Sequence, residues 1–218
     1  MLIIFDWDGT LIDSAPMIIG AMQRAADELR MPSCSDDEVK EIIGLGLPEA
    51  IKSLFPHASD DERATIREIY ARHFIDMDNQ APASLFPGVA DTLAHLHAQG
   101  HTLAIATGKS RRGLDRVLQN SGLAPFFHGT RCADETRSKP DPLMLHELLH
   151  ELSAHLDNAI MVGDTEYDMA MAKNAGMRRV AVSYGVHALE RLQRYDPVHC
   201  VHHDLNELIH WVDQYHNK

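Results

Sequence analysis

A chain of 218 residues, 44% hydrophobic and 24% charged, has enough apolar material for one sizeable core and shows no bias toward wholesale disorder. Its acids outnumber its bases by 32 to 20, so general binding to nucleic acid or anionic membrane is not expected, and an anionic ligand needs local cationic help. Cys34, Cys132 and Cys200 are far apart and in no CxxC pair, which argues against a disulfide framework or a cysteine zinc site and for reduced thiols.

Leu2-Ile3-Ile4-Phe5 reads as a strand buried on both faces, and it runs straight into Asp6-Trp7-Asp8-Gly9-Thr10. No apolar run approaches the ~20 residues needed to span a bilayer, and a strand starting at Leu2 leaves no room for a signal peptide, so a cytoplasmic location is expected. Residues 13–16 break the pattern. From Met17 to Pro82 the chain reads as helix: Ile18, Met22, Ala25, Ala26 and Leu29 recur at three and four, Asp36-Asp37-Glu38 and Asp60-Asp61-Glu62 read as helix starts, and 44–48 reads as a break.

After Phe86-Pro87-Gly88 the periodicity alternates. Helices are expected at 90–99, 111–120, 142–152 and 165–174, strands at 102–107, 159–163 and 179–183, and a short segment at 127–132. Strands separated by helices imply right-handed crossovers. The expected fold is α/β, a doubly wound parallel sheet core with a small helical cap domain inserted after the first strand. Residues 1–14 and 83–218 form the Rossmann-like catalytic core, 15–82 the cap, and the hinges fall at 13–16 and 80–88, where Pro and Gly cluster.

In a parallel sheet the carboxyl ends of the strands share one edge, where ligands bind. Asp6 and Asp8 end the first strand, Thr107 and Gly108 the second, and Asp164 and Asp168 follow the strand at 159–163; Lys139 follows the short segment. A lone DxDG fits an Asx turn equally well. Four carboxylates in one cleft, however, demand positive charge, and a hard divalent cation such as Mg²⁺ together with Lys139 supplies it. A carboxylate nucleophile, a metal, a lysine and hydroxyl or amide donors suit phosphoryl transfer through an aspartyl phosphate, with Thr107 and the backbone at Gly108 on the phosphoryl oxygens.

Asp6-Trp7-Asp8-Gly9-Thr10, Thr107-Gly108, Lys139-Pro140 and Gly163-Asp164-Thr165-Glu166-Tyr167-Asp168 resemble, in order and across the whole chain, the four motifs of the haloacid dehalogenase-like hydrolase superfamily. With the insert after the first strand, the chain is similar to the subgroup of phosphoglycolate phosphatases and β-phosphoglucomutases. The resemblance implies Asp6 as nucleophile, Asp8 as acid and base, and Mg²⁺ on Asp6, the backbone carbonyl of Asp8 and Asp164. It further implies that Lys139 aligns nucleophile and phosphoryl group, that Asp168 is a supporting acid acting through a water or through Lys139, and that Thr107, Gly108 and Lys109 bind the phosphoryl group.

Other motifs carry less. His146-Glu147-Leu148-Leu149-His150 fits the HExxH zinc pattern but falls on a crossover helix whose polar face should meet solvent. Gly108-Lys109-Ser110 resembles the end of a P-loop, yet Leu103 stands where the first glycine belongs. His199, His202 and His203 alternate around Val201 as in a short edge strand, Met169, Met171 and Met177 read as core fillers, and Trp7 as a core aromatic. Asp8 and Asp164 argue against a dehalogenase, and the cap lysines, Lys40 and Lys52, lie in no setting suited to a Schiff base.

The expected function is therefore a Mg²⁺-dependent hydrolase of a small phosphorylated metabolite, phosphoglycolate-like, acting as a monomer or weak homodimer. A sugar phosphomutase and a non-catalytic phosphate-binding protein are the alternatives. The choice rests on the cap: the loop at 44–49 should close over the core, it offers little positive charge, and Lys52, Arg111 and Arg112 are the candidates to meet a substrate carboxylate.

Overall fold

The computed structural model describes residues 1–216. Six parallel strands form one sheet, β1 (Leu2–Phe5), β2 (Thr102–Thr107), β3 (Gly129–Cys132), β4 (Ala159–Gly163), β5 (Arg178–Val182) and β6 (His199–Val201), in the order β3-β2-β1-β4-β5-β6. β1 is central, with Leu2 opposite Thr102 and Ala159, and Phe5 opposite Ile105 and Val162. The strand order reverses between β1 and β4, which opens a crevice beyond their carboxyl ends.

The two-residue period of the strands builds two cores. Ile3, Phe5, Ile105 and Val162 pack with α5 (Val89–Ala98), α6 (Arg111–Ser121) and α10 (Glu207–His216), through Leu93, Leu114 and Leu208 among others. Leu2, Ile4, Ala104 and Met161 pack on the opposite face with α7 (Leu143–Glu151) and α8 (Glu166–Asn174), where Met171 and Met177 fill space as expected. Met169 packs instead with Ala181 and Leu192 of α9 (Leu189–Gln193). Trp7 is fully buried in the first of these cores.

Between β1 and α5 lie α1 (Ala15–Glu28), α2 (Asp36–Lys40), α3 (Leu47–Leu54) and α4 (Asp60–Gln80), which share a hydrophobic cluster of their own. Ser35 and Ser59 start α2 and α4 with capping boxes: each hydroxyl accepts from the amide three residues on, and Glu38 and Glu62 accept in return from Ser35 N and Ser59 N, at 2.8 and 2.7 Å. The two crossovers run side by side, Asp13 N donating to Ser84 O at 2.9 Å and Phe86 N to Leu11 O at 3.1 Å. Among the described residues no helix is long and apolar enough to cross a membrane.

Candidate active site

Asp6 continues β1 by one residue, its amide donating to Val162 O at 2.9 Å, so its carboxylate is delivered to the crevice on rigid backbone. Lys139, fully buried, reaches it from the segment after β3: Nζ lies 2.7 Å from Asp6 Oδ1 and 2.7 Å from Asp168 Oδ1. The other oxygen of Asp168 accepts from Thr165 N at 3.0 Å and Thr165 Oγ1 at 2.7 Å, because Thr165 and Asp168 form the capping box of α8. Asp168 is thus locked by its helix start and grips Lys139 directly. Asp164 accepts from Thr10 Oγ1 and from Val186 N, both at 2.8 Å.

The carboxylates of Asp6, Asp164 and Asp168 lie within 4.8 Å of one another, all buried, with one ammonium among them. Burial pushes the Asp6 carboxyl well above the usual range; Lys139 opposes the rise, and Asp168 and Asp164 add to it. Asp164 is pushed up to about 7, by burial first and Asp168 second, against the hydrogen bonds from Val186 and Thr10. Burial would lower the Lys139 ammonium, but Asp168 and Asp6 outweigh it and hold it above its ordinary value. Asp6 Oδ2 is buried with no hydrogen-bond partner. An oxygen-only cluster short of positive charge, with an orphaned carboxylate oxygen, fits a hard divalent cation of the Mg²⁺ kind.

Of the four carboxylates expected in one cleft, Asp6, Asp164 and Asp168 form this cluster, while Asp8 lines the cavity with Asp6 but lies outside the cluster. The Asp8 side chain is held apart: Oδ1 accepts from Ser14 Oγ at 2.5 Å and pairs with Lys109 Nζ at 2.9 Å, so any part for Asp8 in holding a metal falls to its backbone. Lys109, expected at the phosphoryl group, spends its charge on Asp8 and lies 4.7 Å from the centre of the Phe74 ring. Thr107 is buried at the end of β2, and its Oγ1 accepts from Lys109 N at 3.2 Å.

Gly9 holds φ +79°, and a Cβ there would sit 2.2 Å from Asp164 Oδ2. Gly9→Ala is expected to cost about 1–2 kcal/mol from the left-handed backbone alone and to displace Asp164 as well. Thermal unfolding should show the loss of stability; a variant as stable as the parent would separate Gly9 from the seating of Asp164.

Asp6 and Asp8 floor a cavity of about 370 Å³ between the core and the four inserted helices. Its upper wall is apolar: Ile18 and Met22 of α1, Ile42 and Leu45 of the loop before α3, and Phe74 and Ile75 of α4. Close contact is built in at Gly108, where a Cβ would lie 2.4 Å from Leu45 O. Gly46 N donates to Ser138 Oγ at 2.7 Å, Tyr167 Oη to Glu41 O at 2.6 Å, and Arg191 pairs with Glu41 at 2.7 Å; on the far side Arg116 of α6 pairs with Asp78 of α4.

Of the three candidates for a substrate carboxylate, Arg112 lines the cavity, at its exposed rim. Arg111 is turned to Glu135 and Asp115, and Lys52 is exposed on α3 and lines no part of the cavity. The HExxH helix keeps His146 and His150 exposed, while Arg131 pairs with both Glu147 and Glu151 at 2.6 Å, which gives the motif's glutamate a structural partner. His199 lies on β6 and stacks on Trp211, with ring centres 5.8 Å apart, and His202 and His203 are exposed. Ser110, last of the P-loop-like triplet, caps α6 by accepting from Gly113 N at 3.2 Å.

Sequence reasoning did not single out Thr10, Ser14, Val186 or Arg116. Thr10 and Ser14 follow the first aspartates closely, and Arg112 and Arg116, four apart, share one face of α6, a legible pair of cations. Val186 acts through its backbone amide, which has no side-chain signature.

Residues 3–182 match the family model for haloacid dehalogenase-like hydrolases. The chain is 37% identical to the protein named "Probable phosphatase IndB" of Dickeya dadantii (strain 3937), over 90% of this chain and 86% of that one. It is 34% identical to the phosphoglycolate phosphatase of Vibrio cholerae, over 90% of each. The solved structure of a haloacid dehalogenase-like family hydrolase from Streptococcus pneumoniae superposes with a TM-score of 0.81 at 26% identity, covering 97% of both chains. A sheet that gathers Asp6, Lys139, Asp164 and Asp168 at one edge, matched over this length, makes the chain a member of the haloacid dehalogenase-like hydrolase family.

Proposed function

We propose that the chain is a Mg²⁺-dependent phosphatase of small phosphomonoesters that works through an aspartyl phosphate on Asp6, with residues 15–82 as the cap over a core formed by 1–14 and 83–218. The observation that carries this reading is Asp6 itself: a carboxylate at the end of the central strand, on the floor of the cavity, 2.7 Å from Lys139 and with Oδ2 unengaged. Asp6, Asp164 and the backbone carbonyl of Asp8 would hold the metal, which when bound neutralises the carboxylates and stabilises charge on the transferring phosphoryl group.

The chain's own residues then divide the work. A carboxylate oxygen of Asp6 forms a bond to phosphorus as the ester P–O bond breaks, and Asp8 gives its proton to the departing oxygen. In the second half Asp8 takes a proton from water as that water attacks phosphorus, releasing Asp6 and inorganic phosphate. Lys139, steadied by Asp168, would keep Asp6 in line, while Thr107 and the amides about Gly108 would donate to phosphoryl oxygens. Lys109 and Ser14 aim Asp8 through its Oδ1.

Hydrolysis is favoured over phosphate transfer to a sugar because, Tyr70 apart, the cap side chains lining the cavity carry no hydroxyl, amide or charge with which to seat a sugar acceptor. The relatives named as phosphoglycolate phosphatases make that ester one member of the test panel. Phosphate release from an aryl phosphate and from phosphoglycolate, with Mg²⁺ or with chelator, tests the reading. Release that depends on Mg²⁺ supports it; folded protein inert on every ester leaves the phosphate-binding alternative.

A further inference from the structure

The cavity above Asp6 and Asp8 is unevenly built. Every cap residue that lines it is apolar or glycine except Tyr70, and every cation that lines it comes from the core side, as Lys109, Arg112 and Arg116. Two of those three are already spent: Lys109 on Asp8 and Arg116 on Asp78, both against the face of Phe74. Arg112 remains, exposed at the rim rather than under the cap. A leaving group that carried a carboxylate into this chamber would bring a negative charge beside Asp8, against a cap wall that, among the described residues, offers no cation, with exposed Arg112 the one lining cation not already paired. An apolar leaving group would instead displace water from Ile18, Met22, Ile42 and Ile75, and about 370 Å³ lies within the range of small-molecule sites, roughly 300–1,000 Å³.

We propose that this enzyme acts on phosphomonoesters of uncharged alcohols with an apolar body, alkyl or aryl, in preference to phosphorylated hydroxy acids. The inference rests on the phosphatase reading above. Tyr70 is the one polar point on the cap side, suited to a single hydroxyl or carbonyl on an otherwise apolar group.

Steady-state hydrolysis of ethyl, butyl and hexyl phosphate beside phosphoglycolate, with Mg²⁺, tests the proposal; ethyl phosphate matches phosphoglycolate in chain length and lacks its carboxylate. The expected kcat/KM rises up to about fourfold per buried methylene. Hexyl phosphate should exceed phosphoglycolate by about 100-fold or more, the unpaired charge adding to the apolar gain. Ile75→Arg, at a half-buried cavity position, should shrink that ratio about tenfold by supplying a cation for the carboxylate; should the variant fail to fold, the alkyl series in the parent decides. Hydrolysis of phosphoglycolate at or above the rate of hexyl phosphate, or a flat alkyl series, would overturn the proposal while leaving the phosphatase reading standing. Loss of such phosphoglycolate activity in Arg112→Ala would locate the carboxylate at the rim. Failure to hydrolyse any ester, aryl phosphate included, defeats both readings together.

Discussion

Asp6→Asn is expected to lower kcat by about 10⁴-fold or more, the scale on which removal of a nucleophile acts. An amide oxygen cannot carry the phosphoryl group as a carboxylate does, and neither Asp164 nor Asp168 can take over. Both oxygens of Asp168 are engaged by Lys139 and Thr165, and both oxygens of Asp164 by Thr10 and Val186. The same substitution should not harm the metal-free fold. Burial raises the Asp6 carboxyl above its unfolded value, so at neutral pH its ionised form opposes folding, and a neutral amide removes that penalty while still accepting from Lys139. Activity assays paired with thermal unfolding in chelator check this: loss of turnover with an equal or higher Tm is the expected pair. A large drop in Tm would instead make Asp6 a structural strut.

Lys139→Met should act on stability as well as turnover. Its ammonium is fully buried at 2.7 Å from both Asp6 and Asp168, and its removal leaves those carboxylates without their shared cation. Breaking a buried ion pair from one side costs about 3–5 kcal/mol, which for a chain of this size is a fall in Tm of roughly 6–20 °C. Adding Asp168→Asn to that variant should restore part of the loss, because the second change removes the stranded charge. Calorimetry in metal-free buffer measures both; strictly additive losses would mean that Lys139 and Asp168 do not form one unit.

The sheet was readable because its strands are buried on both faces: Leu2–Phe5, Thr102–Thr107 and Ala159–Gly163 are apolar runs, and each ends on the polar residues that meet in the crevice. The starts of α2 and α4 were legible in their acidic first turns, and the Ser35–Glu38 and Ser59–Glu62 boxes that set them were equally present in the sequence. The far end of the chain was harder. α9 has five residues, and the apolar stripe of α10, Leu208 and Val212 with Trp211, is one helical face too short to stand out until it is packed on α5.

Within the site, sequence placed carboxylates and a lysine at one edge but not their pairings. That Lys109 turns to Asp8, and that Asp8 stands apart from the other three carboxylates, depends on Ser14 and on the seating of Phe74 above α6, on contacts between segments far apart in the chain or on a rotamer choice. The Val186 amide on Asp164 is backbone geometry of the loop after β5, invisible to any reading of side-chain types. The apolar wall of the cavity was present as the helical periodicity of α1, where Ile18 and Met22 count as core; only the fold shows that both also line the chamber above Asp6.

The central claim is that the phosphoryl group passes through Asp6, and it is tested most directly by trapping it there. Asp8→Asn, mixed with Mg²⁺ and an aryl phosphate whose leaving group needs no proton, should phosphorylate itself and stall, since the residue proposed to activate water is gone. Acid quench and peptide mass spectrometry should then find one phosphoryl group on the peptide bearing Asp6, and none when Asp6→Asn is added. Full turnover without a trapped phosphopeptide, or a phosphoryl group on any other residue, would contradict the account.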